Sequence, residues 1–329
     1  MEEFSTMLLA IVSIIGGSVL LYYGAEGLVR GSSSLAYRFG ITPLIVGLTV
    51  VAFGTSSPEF VVSVNAAIKG NSGISLGNVI GSNICNIALI LGVSALIRPI
   101  KINMRVIRTD LLIMIGITIV FILMMLDGEI SRLDGAFLIA GIFIYNGVTI
   151  YMAKRTKDRK AEVEYSETVQ KKFGRKRIDL LFIIGGLGIL ILGSEVFVLG
   201  AKDIAEHFGA SDLLIGLTVI ALGTSLPELA TSVVAAIKNE GDISIGNAIG
   251  SNIFNILLIL GFASFIVPIA TGEVNWVDVS VMLGVSVLVL PLAWTGFVLS
   301  RMEGAFLLFI YLAYMAFKVF GEFTIGIGL

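Results

Sequence analysis

Charge is scarce in this chain of 329 residues: Asp, Glu, Lys and Arg together make up 14% of it, against about a quarter in a soluble domain. So few charges cannot clothe a globule of this size in water, which excludes a water-soluble fold. Proline is scarce too, with 6 residues, and no Pro-rich or strongly charged tract points to a disordered chain. The one cysteine, Cys85, excludes an internal disulfide and a Cys-based metal cage. The one histidine, His207, stands beside Glu206 in a short connection and reads as a solvated loop residue. No Walker loop or His-Glu-x-x-His helix is present, and the chain is not expected to be an enzyme. A net charge of −2 and a pI near 5.6 exclude a nucleic-acid footprint.

What the chain has is apolar length. Hydrophobic residues make up 56%, mean hydropathy is +0.98, and glycine reaches 38 residues, which suits close helix packing in lipid. A bilayer core of ~30 Å needs ~20 apolar residues per helix. Windows of that kind fall near 7–29, 41–68, 76–97, 108–126, 135–153, 179–201, 211–237, 245–269, 275–298 and 304–320. The expected fold class is therefore an all-α membrane protein of ten transmembrane helices. The stretch from Met7 to Val29 is too long for a signal core and follows acidic Glu2 and Glu3, so no cleavable signal is expected. Lys154 to Arg177 is the one long polar stretch. It suggests a five-helix unit over 1–153, a linker over 154–178 and a second five-helix unit over 179–329. Counted on alternate connections, Lys and Arg number 18 on one side and 4 on the other. The positive-inside rule then puts the linker in the cytoplasm and both termini on the opposite side of the cell membrane.

The halves are copies. Gly40 to Gly92 aligns without a gap to Gly209 to Gly261 at an offset of 169, with 33 of 53 positions identical. The offset persists at Glu26 and Glu195, Gly31 and Gly200, and Pro99 and Pro268. A unit of five spans is odd-numbered, so its second copy must enter the membrane from the opposite side. Inverted repeats with Gly- and Pro-interrupted helices are the architecture of secondary transporters, whose substrate site lies near the midplane where the repeats meet. Duplication for stability alone is the bland alternative; the strongest similarity falls instead on polar residues that lipid should reject.

Two polar blocks carry that similarity. The first is Gly54-Thr55-Ser56-Ser57-Pro58-Glu59, matched by Gly223-Thr224-Ser225-Leu226-Pro227-Glu228. Proline removes a donor and clashes with the carbonyl four residues back. It should open the helix and free carbonyls near Ala52, Gly54 and Thr55, and near Ala221, Gly223 and Thr224. A carboxylate at mid-membrane costs ~2.5–3.5 kcal/mol on insertion scales, and no Lys, Arg or His lies in the polar blocks at the core of either repeat to offset it. An exogenous cation or a proton is the expected partner, and carboxylate, hydroxyl and carbonyl oxygens are the ligands Ca2+ prefers. The second block runs from Gly77 to Asn86, matched by Gly246 to Asn255. The Gly77/Gly81 and Gly246/Gly250 pairs have small-xxx-small spacing for helix contact. Ser82 and Asn86 share a helix face, as do Ser251 and Asn255, and can present neutral oxygens. For Asn78, Asn83, Asn247 and Asn252, interhelical hydrogen bonding and ion contact both stay open.

GTSxPE followed by GNxIGSNIxN, used twice in inverted copies, resembles the alpha repeats of the sodium/calcium exchanger branch of the calcium/cation antiporter superfamily, its compact prokaryotic members especially. The match is specific over roughly sixty residues of each half. It implies ten helices, with Glu59 and Glu228 as central ligands shared by calcium and sodium. It also implies Thr55 and Thr224 as carbonyl ligands to calcium, and Ala52, Ser56, Ser82, Ala221, Ser225 and Ser251 around flanking sodium sites. Relatives pair an Asn in one repeat with an Asp in the other, whereas here both are Asn, Asn86 and Asn255. The pocket so offers two formal negative charges, and the sodium count is left open.

The resemblance makes Ca2+ and Na+ the carried ions and the bilayer the setting, with no cofactor, nucleic acid or obligatory protein partner. Both ions needing the same carboxylates would couple them, only loaded forms crossing between inward-open and outward-open states. The runner-up is calcium/proton exchange on the same two glutamates, and a cation channel with an acidic ring is the rival from another class. Glu26 and Glu195 either line an access path or anchor at headgroups. Asp127, Glu129 and Asp134 read as a solvated acidic loop. Phe306, Phe309 and Tyr311 read as lipid-facing or packing residues.

Overall fold

The computed structural model describes residues 2–155, 176–208, 221–272 and 274–326. They form a helical membrane protein. Helix α1 spans Glu2–Phe39; α2, Pro43–Thr55, and α3, Ser57–Ile68, meet at a 48° bend; α4 is Ser72–Ile97, α5 Val106–Asp127 and α6 Arg132–Arg155. In the second half lie α7, Lys176–His207; α8, Ala221–Thr224; α9, Leu226–Ile237; α10, Gly241–Ile266; α11, Trp276–Trp294; and α12, Arg301–Gly326. Eight of the described helices are long and apolar enough to cross a bilayer, or nine when the bent pair α2 and α3 counts as one span. The first part of the seventh predicted window, 211–220, lies outside the described residues, as do 156–175 of the linker.

Several helices outrun their apolar windows. The first was expected to end at 29, yet α1 continues to Phe39. Its polar last turns are sheltered: Ser32, Ser33, Ser34 and Ala36 are buried. Asp179 of α7 accepts hydrogen bonds from Ser34 Oγ (2.8 Å) and Arg38 Nε (3.0 Å), with Arg38 Nη2 at 2.7 Å. Hydropathy falls where helix does not, because a neighbouring helix supplies partners for polar side chains.

Helices α1 and α7 pack along their whole length. Gly17, Gly24 and Gly31 of α1 repeat every seven residues, as do Gly186, Gly193 and Gly200 of α7. A Cβ added at Gly17 would stand 2.6 Å from Phe197 N, and one at Gly186 would stand 2.6 Å from Leu28 N. Only hydrogen fits there, so the two backbones touch.

The rest of the molecule surrounds α4 and α10, whose apolar residues form one core with α5 and α11. Two short antiparallel pairs clasp its opposite ends. One joins β1, Ile100–Lys101, to β4, Val298–Leu299; the other joins β2, Glu129–Ile130, to β3, Ile269–Ala270. Ile100 faces Leu299, and Ile130 faces Ile269, so each pair maps onto the other at the offset of 169. The helix-end contacts obey the same relation. Arg301 Nε donates to Leu96 O and Nη2 to Ile97 O, while Arg132 Nη2 donates to Ile266 O.

Candidate functional site

Each Pro-Glu block sits where a helix breaks. Ser56 leaves helical geometry (φ −78°, ψ 8°) between α2 and α3, and Ser225 does the same (φ −89°, ψ 5°) between α8 and α9. Proline follows at the second position of each new helix, where its missing N–H and fixed φ are tolerated. Glu59 and Glu228 therefore lie in the first turns of α3 and α9, at the end of a helix dipole that favours negative charge.

The freed carbonyls differ from expectation in one respect. Ala52 O is not free: it accepts Ser56 N at 3.1 Å. Proline strands only the carbonyl four residues before itself, that of Gly54 or Gly223. In the second half a neighbour takes it, with Ser194 Oγ of α7 donating to Gly223 O at 2.5 Å. The equivalent of Ser194 in α1 is Ala25, which has no hydroxyl.

The two acids meet across the molecule. Ser56 Oγ donates to Glu228 Oε1 at 2.9 Å, and Ser225 Oγ donates to Glu59 Oε1 at 3.0 Å. Each serine thus serves the carboxylate of the other repeat. Ser82 Oγ lies 3.4 Å from Ser225 Oγ. Both glutamates are 1% exposed, and the second oxygen of each, Oε2, has no hydrogen-bond partner. Among the described residues no Lys, Arg or His forms an ion pair with either acid.

The asparagines divide into two kinds. Asn78 Nδ2 donates to Ser63 Oγ (2.8 Å) and Glu59 O (3.3 Å), and Asn247 Nδ2 to Ser232 Oγ (3.0 Å) and Glu228 O (3.3 Å). Their amide oxygens receive Thr224 Oγ1 at 3.5 Å and Thr55 Oγ1 at 3.1 Å. These residues link each glutamate's backbone to the opposite threonine by interhelical hydrogen bonds. Asn83 and Asn252 face the other pair: Asn86 Nδ2 donates to Asn252 Oδ1 and Asn255 Nδ2 to Asn83 Oδ1, both at 3.0 Å. That fixes which way Asn86 and Asn255 point. Their own Oδ1 atoms are buried without partners.

Local backbone puts them there. The chain widens into π turns at Cys85–Leu91 in α4 and Asn255–Leu260 in α10, a feature that often marks functional sites. Ser251, 0% exposed, also has an unpartnered hydroxyl. Ala52 is fully buried in α2. Of Ala221 the structure describes the backbone, at the start of α8. Thr55 and Thr224 close α2 and α8, so their carbonyls belong to helix ends, where the last four C=O groups lack helical partners.

The result is a set of buried oxygens with unused lone pairs: Glu59 Oε2, Glu228 Oε2, Asn86 Oδ1, Asn255 Oδ1 and Ser251 Oγ. Buried polar atoms are nearly always paired, and oxygen-only donor sets suit hard cations. Desolvated acids of one sign with no basic side chain call for positive charge from outside.

Sequence reasoning missed Ser63, Ser232 and Ser194. Ser63 and Ser232 are identical at the offset of 169 and so carried a usable signal. Ser194 carried none, since its counterpart is alanine. The other residues singled out lie apart from the site. Glu26 is ion-paired to Lys238 at 2.6 Å, whereas Glu195 is exposed. His207 is exposed and stacks edge-on with Phe208. Asp127 and Asp134 accept backbone N–H groups of Glu129 and Ser131 in a turn.

Known proteins resemble the chain throughout. The profile of the family described as "Sodium/calcium exchanger protein" matches residues 9–151 and again 178–320, two stretches that stand at the same offset of 169. The "Putative antiporter CaxA" of Alkalimonas amylolytica is 38% identical over 314 residues, 94% of this chain and 98% of its own. The "Sodium/calcium exchanger MaX1" of Methanosarcina acetivorans is 31% identical over 333 residues, 91% of this chain and 95% of its own. A solved structure of the sodium-calcium exchanger NCX_Mj, soaked with Na+ and Sr2+, superposes with a TM-score of 0.81 at 35% identity. It covers 94% of this chain and 98% of that one.

Proposed function

The chain belongs to the sodium/calcium exchanger protein family, and from that premise we propose that it carries Ca2+ one way and Na+ the other by alternating access at a shared site near the bilayer midplane. The observation that carries the reading is the crossed pair of bonds, Ser56 to Glu228 and Ser225 to Glu59, between two buried acids that each keep an unpartnered oxygen and that, among the described residues, form no ion pair with a basic side chain. Each acid is tied to the half of the molecule that did not supply it. A change in the relation of the halves therefore changes the site.

Glu59 and Glu228 are the shared ligands, with Thr55 and Thr224 giving carbonyls to calcium. Asn86 and Asn255 present neutral oxygens. Ser56, Ser82, Ser225, Ser251, Ala52 and Ala221 flank the pair and serve sodium. One Ca2+ neutralises the two carboxylates, and so do two Na+. An empty pocket would carry two uncompensated charges through a low-dielectric barrier, which costs several kcal/mol per ion. Only loaded forms cross, so the two ions are coupled. Ten helices arranged as inverted five-helix units, 1–153 and 179–329, supply the two facing states. The linker 154–178 lies in the cytoplasm, and both termini lie across the cell membrane from it. In support, the basic connections holding Lys101 and Arg301 gather at one end of the molecule, where β1 meets β4 and Arg301 reaches Leu96 O.

Purified protein in liposomes tests this: calcium uptake is followed under an outward sodium gradient and then under a proton gradient alone. Sodium should drive uphill uptake. Uptake driven by protons and not by sodium would replace the reading with calcium/proton exchange on the same glutamates, and downhill leak alone would make the protein a channel.

A further inference from the structure

The offset of 169 lets the two ends of the molecule be compared residue for residue. At the end bearing β1 and β4, Lys238, which terminates α9, places Nζ 2.6 Å from Glu26 Oε1 of α1. Beneath this pair Val234, Ala235 and Ile243 are buried in one apolar cluster with Leu28, Val29 and Ala36 of α1. That end is shut.

The equivalent residues at the other end are Lys69, which terminates α3, and Glu195 of α7. The same chemistry is present at the same places in the repeat. Yet Lys69 and Glu195 are both exposed, and no ion pair joins them. Asn65, the counterpart of buried Val234, is exposed as well. One sequence element is thus seen closed in one copy and parted in the other.

Resting on the exchange reading above, we propose that Lys238 with Glu26 and Lys69 with Glu195 are the two gate pairs of this exchanger, made one at a time. Glu26 and Glu195 belong to α1 and α7, which pack backbone to backbone at their glycines and in this proposal swing together. A body that swings toward α9 at one end leaves α3 at the other. Closing either pair therefore opens its partner. Half-exposed ion pairs are weak, as a gate that opens in every cycle requires. Lys238 also precedes Glu240 and Asp242 in the chain. A reversed charge there adds to an acidic surround and should force the end apart.

The test uses full-length protein in nanodiscs and a water-soluble maleimide, with Val234→Cys and Asn65→Cys as single reporters. Native Cys85, 4% exposed, sets the background. Asn65→Cys should label readily and Val234→Cys slowly. Adding Lys238→Glu should raise labelling at Val234→Cys by about fivefold and lower it at Asn65→Cys, the reciprocal shift of a two-state equilibrium. Combining Lys238→Glu with Glu26→Lys should restore both rates, which loss of local structure would not do. Unchanged labelling in a Lys238→Glu protein that still exchanges calcium for sodium in liposomes overturns the gate alone. A rise at both reporters indicates local unfolding and overturns it too. If the unsubstituted protein shows no sodium-driven calcium uptake, the exchange reading itself fails.

Discussion

Gly250→Ala adds one carbon where the structure leaves no room for it. Its Cβ would stand 2.8 Å from Leu48 O, 2.9 Å from Leu48 Cα and 2.8 Å from Ala52 Cβ. None of these is the end of a flexible side chain, so α2 and α10 must part by roughly half an ångström to reach ordinary contact. Overpacking of this kind costs ~1–3 kcal/mol, while alanine is worth ~1 kcal/mol over glycine inside a helix. With backbone on the receiving side the clash dominates, and a net loss of about 1–2 kcal/mol is expected. The damage is also local to function, since Ala52 and Ser56 ride on the displaced segment. Heating the detergent-solubilised protein and following its monodisperse fraction should show a melting point lower by a few degrees. Sodium-driven calcium uptake should fall further than that loss of stability explains. Gly116→Ala is the control: its added Cβ meets nothing within 4 Å, and it should match or exceed the parent. A Gly250→Ala protein that melts at the parent temperature with full uptake would refute the reasoning. A Gly116→Ala protein harmed as much would do the same.

Glu59→Gln and Glu228→Gln should each abolish sodium-driven calcium uptake in liposomes while leaving a monodisperse protein, and substantial retained exchange removes them from the site. Asn247→Ala strips two donated bonds and leaves Ser232 Oγ and Thr55 Oγ1 without that partner; a loss of ~1–3 kcal/mol is expected from the melt, with weaker calcium uptake. Arg38→Ala leaves Asp179, 3% exposed, with Ser34 as its one remaining donor among these contacts. The melting point should drop by the equivalent of about 3 kcal/mol, nearer the cost of an uncompensated buried charge than of a surface pair. Burial holds the Glu240 carboxyl above its ordinary value, and the Asp242 charge adds to it. The unfolded chain then ionises first as pH rises, and stability is lost from the ordinary carboxylate range upward. Glu240→Gln should therefore melt above the parent at pH 8 and with it at pH 4; a parent that melts higher at pH 8 reverses that sign.

Much of this is legible in the sequence. The repeat points to a site where its two copies meet, because the same polar block occurs in each; which serine crosses to which acid is not contained in it. Hydropathy marks the helix windows but not their ends, since Ser34 and Arg38 find their partner, Asp179, on another helix. Asn78 and Asn83 could not be separated from Asn86 by residue type. A side-chain amide is a ligand or a strut according to what its nitrogen and oxygen face, and here Asn86 Oδ1 is unpartnered while Asn78 Oδ1 receives a threonine. The carbonyl of Ala52, expected free from the proline argument, is held by Ser56 N. The actual turn geometry at Ser56 settles that, and proline alone does not.

By itself the sequence determined the solvent, the duplication and the two acids, since apolar run length and a fixed offset are properties of order along the chain and need no third dimension. The tertiary structure alone decided which oxygens are left without donors, which serine serves which carboxylate, and which of two equivalent Lys–Glu pairs is made. Those depend on distances of a few tenths of an ångström between segments more than a hundred residues apart. Two copies of one sequence can occupy different environments, so identity in the repeat does not impose identity in space.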